Sequence, residues 1–138
     1  MAAYQQSFEI HTRGRGIREI TSEVAKQVGL SGIATGVANV FARHTSCSLM
    51  LTENVDPAVP HDLEMLARRW APDADPQYRH ATEGDDDMPA HARSVLTGVS
   101  LAIPVGNGEL LLGQWQGIYL WEHRGDAHVR TIVVTVVG

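Results

Sequence analysis

The stretch from His80 to His91, HATEGDDDMPAH, holds two histidines, one glutamate and three consecutive aspartates. Gly84 frees the backbone within it and Pro89 fixes it. These residue types support three kinds of chemistry. Aspartates ahead of a helix complement the positive end of its dipole, and Asp87 before Met88-Pro89 suits an N-cap. Imidazole with carboxylate suits a divalent ion such as zinc or manganese, whereas carboxylates alone suit magnesium. His91, in the first turn of such a helix, lies near free backbone N–H groups that attract phosphate. Capping accounts for one or two aspartates. It leaves Glu83, His80 and His91 unexplained, and adjacent carboxylates repel unless a cation or protons offset them. A metal bridging carboxylate to pyrophosphate satisfies the last two readings together.

Two further segments carry reactive types. His44-Thr45-Ser46 links two apolar runs and reads either as a polar turn or as side chains pointing into a cleft. Cys47 follows it. A cysteine beside a histidine raises the question of a nucleophile, but Cys47 opens an apolar run and reads as a small core residue. On a strand through Trp115–Arg124, Gln116, Ile118, Leu120, Glu122 and Arg124 share one face, and Trp115, Tyr119, Trp121 and His123 the other. Polar residues at both ends of an apolar face suit a pocket rim, and Glu122 with Arg124 also suits an ordinary surface pair. Asn54 and Asp56 read as helix caps, and His11, His61 and His128 as surface or core.

The elements that must position these residues follow from periodicity. Strands are expected over Tyr4–Thr12, Gly32–Ala42, Cys47–Thr52, Val99–Val105, Glu109–Trp115, Gly117–Glu122 and Val129–Val137. Gly36 is the weak point of the second. Helices are expected over Ile20–Val28, Ala58–Trp70 and Pro89–Leu96. Thr21 or Ser22 is the expected cap of the first, and Gly29 or Gly32 its stop. Arg13–Arg18, with two glycines, reads as a turn, and Asn107-Gly108 as a hairpin turn. The result is a single compact α+β domain over residues 1–138, a largely antiparallel sheet or sandwich core carrying about three helices.

Bulk properties narrow the partners. The net charge of −5 and the scattered basic residues argue against nucleic acid and anionic membrane. Apolar residues make up 43% of the chain, enough for a packed core rather than disorder. No apolar run is long enough to span a bilayer, and the N-terminus lacks the pattern of a signal peptide. One cysteine precludes an internal disulfide and suits a reducing cytoplasm. The expectation is a cytoplasmic protein acting on a small molecule.

Three blocks resemble the signature blocks of the YjbQ-like family: HTSCSLMLTENVDP (His44–Pro57), EGDDDMPAH (Glu83–His91) and LLLGQWQGIYLWEHR ending at Arg124. They occur in the family's order and spacing, and the resemblance runs nearly the whole chain. It implies a sheet-rich α+β fold and a homotrimer with a polar pocket near subunit contacts. It also implies a secondary, weak thiamine-phosphate synthase activity, in which a thiazole phosphate attacks a pyrimidine pyrophosphate and pyrophosphate departs. Many relatives look to carry alanine where this chain has Cys47, which weakens a catalytic role there.

That chemistry assigns roles to residues. Asp86 and Asp87 would hold magnesium, with His44, His80 and His91 completing the candidate set for a divalent metal, magnesium or zinc. Thr45, Ser46 and Arg124, with His91, would contact phosphate oxygens. His80, His91 and Glu122 are the candidate catalytic residues, with His44 a further acid or base, and Glu122 would orient a histidine or bind the metal. Three functions remain open: the transferase, a metal-dependent hydrolase of a phosphorylated or carboxylated metabolite, and a non-catalytic metabolite-binding trimer. A tightly held zinc with three protein ligands favours hydrolysis.

Overall fold

Along Val129–Val137 every second side chain is buried: Arg130, Ile132, Val134 and Val136. That period-two run faces one core and becomes an interior strand of the larger sheet. A computed structural model describes residues 1–138. In chain order its elements are β1 (Ala3–His11), β2 (Gly16–Glu19), α1 (Thr21–Ser31), β3 (Gly36–Ala42), β4 (Cys47–Glu53), α2 (Ala58–Trp70), α3 (Asp87–Thr97), β5 (Ser100–Gly106), β6 (Glu109–Leu110), β7 (Gln116–Glu122) and β8 (Val129–Val137).

One sheet has five strands in the order β1-β8-β3-β5-β6, and the other three in the order β2-β7-β4. Every pairing is antiparallel. The core is shared by Val40, Ile103, Ile132 and Val134 of the large sheet and Leu49, Ile118 and Leu120 of the small one. Helix α1 adds Val24 and Val28 and packs against strands of both sheets. It stops at Gly32, whose φ of 66° is a left-handed conformation that glycine adopts without a Cβ penalty. Helices α2 and α3 pack on the small sheet, against β2 and β4 respectively. The fold is therefore α+β, mostly antiparallel, with three helices, as the periodicity implies. No helix is long and apolar enough to cross a membrane.

Several boundaries differ from the sequence reading. The Arg13–Arg18 segment is not only a turn, because Gly16–Glu19 pairs with Tyr119–Glu122 as an edge strand. Strand β3 begins at Gly36 rather than Gly32. A Cβ on Gly36 would overlap the Val137 carbonyl oxygen, so the apparent weak point is a close approach of two backbones. Of Glu109–Trp115 only Glu109 and Leu110 are paired, beyond the Asn107-Gly108 turn. Neither Thr21 nor Ser22 caps α1, which follows Ile20. The Thr21 hydroxyl instead accepts from the Ile118 N–H at 2.9 Å, tying α1 to β7. Asp56 does accept the Ala58 N–H at 2.9 Å, while the Asn54 amide donates to the Gln114 carbonyl. Cys47 is fully buried, and burial raises its thiol to about 11, which fits the small core residue that its apolar run implies.

Candidate functional site

Helix α3 starts at Asp87, and its preceding residue Asp86 makes no side-chain cap. The N-cap role expected for Asp87 is therefore replaced by another. Asp87 is 6% exposed, and its carboxylate meets three side chains. Arg124 Nη1 donates to Oδ1 at 2.7 Å. His80 Nε2 lies 2.7 Å and His91 Nε2 3.1 Å from Oδ2. Asp87 and His91 meet because they are one helical turn apart. His80 comes from the loop before α3, and its ring centroid is 5.3 Å from that of His91. Three potential ligand atoms, from His80, Asp87 and His91, lie within 4.8 Å of one another.

One hydrogen bond gives this trio its character. His91 Nδ1 is 2.8 Å from the Thr45 carbonyl oxygen. A carbonyl only accepts, so Nδ1 carries a proton and Nε2 is the nitrogen free to take a second proton or a metal ion. Nε2 faces the Asp87 carboxylate. Two acceptors at 3.1 Å are stable only with a cation between them, a proton or a metal. Burial pushes the Asp87 carboxyl up, but the His80 hydrogen bond and the charges of His91 and Arg124 outweigh it. The carboxyl is held below the usual value and stays ionised.

The other candidates fall into two groups. Asp86 lies beside the trio but outside it, because its Oδ2 accepts the Gly125 N–H at 2.7 Å and Arg124 Nε at 3.2 Å. Arg124 is engaged by Asp86, Asp87 and the Glu83 carbonyl, so all three guanidinium nitrogens are committed. His44, Ser46 and Glu122 form a second, buried group around Arg130. Glu122 is 2% exposed and accepts Arg130 Nε at 2.8 Å, Arg130 Nη2, the Thr12 hydroxyl at 2.7 Å and the Arg124 N–H at 3.2 Å. Burial raises its carboxyl and these donors more than reverse the shift, leaving the pKa lowered. Glu122 is thus a buried partner of Arg130 rather than a surface partner of the Arg124 side chain. Arg130 Nη2 also holds the Ser46 carbonyl at 3.1 Å and hydroxyl at 2.9 Å. His44 Nε2 accepts the Thr131 N–H at 2.7 Å, and burial followed by the Arg130 charge lowers its pKa. Its acceptor nitrogen is committed to the scaffold. Thr45 is exposed, and with His44, His91, Ser94 and Val95 it lines a groove of about 540 Å³ beside the trio.

Arg130 carried no sequence expectation of a role, and His123 only its place in the candidate segment Trp115–Arg124. Arg130 had a signal: it is the one charged side chain among the inward positions of β8. His123, the residue after β7, is fully buried with Nε2 2.8 Å from the Ser48 hydroxyl and Nδ1 without a partner. Burial, with the Arg93, Arg15 and Arg130 charges, lowers its pKa from 6.5 to about 3. The unfolded chain therefore binds a proton that the folded chain refuses between pH 6.5 and about 3. Stability from this residue is complete above pH 6.5 and falls on acidification. At about 1.36 kcal/mol per unit, about 2 kcal/mol is lost by about pH 5. Urea unfolding at neutral pH and at that lower pH checks this, with His123→Phe expected to remove that part of the slope. In the native protein the His123 ring resonances should not titrate between about pH 8 and 5.

The same architecture recurs in known proteins. The family model described as UPF0047 protein YjbQ-like matches residues 6–138. A UPF0047 protein of Synechocystis sp. is 47% identical over 135 residues, spanning 98% of this chain and 92% of the relative. The UPF0047 protein YjbQ of Escherichia coli O157:H7 is 40% identical over 136 residues, 98% of each chain. Among solved structures, an uncharacterized conserved protein of the YjbQ/UPF0047 family from Clostridium acetobutylicum superposes with a TM-score of 0.89 at 34% identity. It covers 96% of this chain and 99% of that one. A conserved hypothetical protein from Thermus thermophilus gives 0.85 at 38% identity over the same shares. Sequence blocks, fold and whole-chain similarity agree, and the chain belongs to the UPF0047 YjbQ-like family.

Proposed function

We propose that the protein is a divalent-metal-dependent enzyme that hydrolyses a small phosphorylated or carboxylated metabolite held in the groove beside His91. The observation that carries the reading is the hydrogen bond from His91 Nδ1 to the Thr45 carbonyl, which leaves Nε2 as the nitrogen facing the Asp87 carboxylate, with room for one proton or one metal ion between them. His80 Nε2, His91 Nε2 and Asp87 Oδ2 would hold the ion. Two imidazoles favour zinc or manganese over magnesium. Arg124 on Asp87 Oδ1 and the Thr45 carbonyl on His91 Nδ1 are the outer partners that orient such ligands. Three protein ligands leave a coordination position open, the pattern of catalytic rather than structural sites. The His80 and His91 side chains are 44% and 30% exposed, so that position would be reachable from solvent. A bound ion there would acidify water and polarise a phosphoryl or carbonyl oxygen.

The transferase implied by the family resemblance needs cationic donors on a departing pyrophosphate. Arg124, the guanidinium at the trio, is fully engaged within the protein, which favours hydrolysis over transfer. The test is calorimetric titration of metal-depleted protein with zinc, manganese and magnesium. One zinc per chain is expected, and magnesium should bind far more weakly. No zinc binding at neutral pH would sink the reading. The zinc-loaded protein should also release phosphate from members of a phosphomonoester panel or cleave carboxylic esters. Metal binding without any turnover would leave a non-catalytic binding protein.

A further inference from the structure

The RGRGIR segment, Arg13–Arg18, contributes nothing to the metal trio, yet it lines a cavity of about 390 Å³. Arg13, Arg15 and Arg18 border it with His11 and Thr12, and the one carboxylate on its wall is Glu122. Glu122 offers no counter-charge, because Arg130, Thr12 and the Arg124 N–H already occupy it. Arg15 is committed as well, bidentate to Asp73 at 2.9 Å on both arms. The other two arginines are not. Arg18 makes a single bond, from Nη1 to the His11 carbonyl at 3.2 Å, and Arg13 makes no hydrogen bond or ion pair. The cavity is therefore positively charged in a chain of net charge −5. The loop that forms it is held in place. Gly14 has a φ of 127°, and a Cβ there would lie 2.8 Å from the Gly125 carbonyl oxygen. Strand β2 beyond it is hydrogen-bonded to β7, which anchors Arg18 opposite Leu120.

We propose that this cavity is a second, metal-independent site that binds a phosphate group, free or at the end of a phosphomonoester. Guanidinium forks match phosphate oxygens two at a time, and two of them facing one cavity without a carboxylate partner attract a dianion. A cavity of this size holds one small metabolite. The net negative charge of the rest of the chain disfavours a polyanion.

The experiment is isothermal calorimetry in EDTA, which keeps any metal centre empty and separates the two sites. Inorganic phosphate is titrated into the wild-type protein and into Arg13→Ala/Arg18→Ala, with glycerol 3-phosphate as a second arm. Saturable binding to the wild type is expected, weakened at least about tenfold in the double variant and weakening with added salt. Both arginines are exposed, so the two proteins should melt alike, and a melting curve checks that. Glycerol 3-phosphate binding as well as or better than phosphate supports the ester form, and its exclusion supports free phosphate. Absence of saturable phosphate binding, or equal affinity in the two proteins, overturns the proposal.

Discussion

Replacing Asp87 by Ala is expected to abolish zinc binding and to lower stability by about 2–4 kcal/mol. The size follows from the number of partners. One nearly buried carboxylate accepts from Arg124 and meets both His80 and His91. Without it, Arg124 keeps Asp86 but loses its shortest bond, and the two imidazoles lose the anion between them. Asp87→Asn separates the two effects. The amide preserves shape, so urea unfolding should show roughly half the stability loss or less. Its neutral oxygen is a poor ligand, so zinc affinity should still fall by at least about 100-fold, the upper range for losing even an outer partner of a ligand. Zinc binding to Asp87→Asn at wild-type strength would rule out Asp87 as a ligand.

Breaking the Glu122–Arg130 pair should cost more. Glu122→Ala or Arg130→Ala leaves a charge buried without its partner, and each is expected to lose about 3–5 kcal/mol in urea unfolding. The side chains are 2% and 4% exposed, so water cannot take the partner's place. The double replacement Glu122→Leu with Arg130→Met removes both charges and should lose clearly less than the sum of the single changes. A loss below about 1 kcal/mol in either single variant would contradict this account. The pH sign follows from the lowered Glu122 pKa. The stabilisation is present above its ordinary value of 4.5 and is lost as pH falls through the lower, folded value. The pair also reaches the metal trio. Arg130 holds the Ser46 carbonyl and hydroxyl, next to the Thr45 carbonyl that accepts from His91 Nδ1. Arg130→Ala should therefore weaken zinc binding without removing a ligand.

Much of this arrangement is legible in the chain. The β-branched alternation of β8 and the amphipathic spacing of α2 announce themselves, because a strand and a helix bury side chains at different periods. The strand β2 is not legible. Its GIRE sequence has little apolar content, and its partner β7 lies about a hundred residues away, so the pairing is a tertiary event. Leu111–Trp115 looks like strand by composition but forms no continuous ladder, since β6 sits at a sheet edge and ends after Leu110. At the site, the dense polar stretch pointed to His80, Asp87 and His91 from residue type alone, and the helical offset already put Asp87 beside His91.

The sequence by itself determined the α+β class, the family and the helix that carries Asp87 and His91. These rest on local periodicity and on short blocks of neighbouring residues. Only the tertiary structure decided which polar groups face each other. Glu122 is buried against Arg130, and Arg124 and Asp86 neutralise one another beside the trio. The Thr45 carbonyl, 46 residues from His91, selects the nitrogen that faces Asp87. A hydrogen bond across that separation depends on where two elements pack, and no local pattern of residues encodes it.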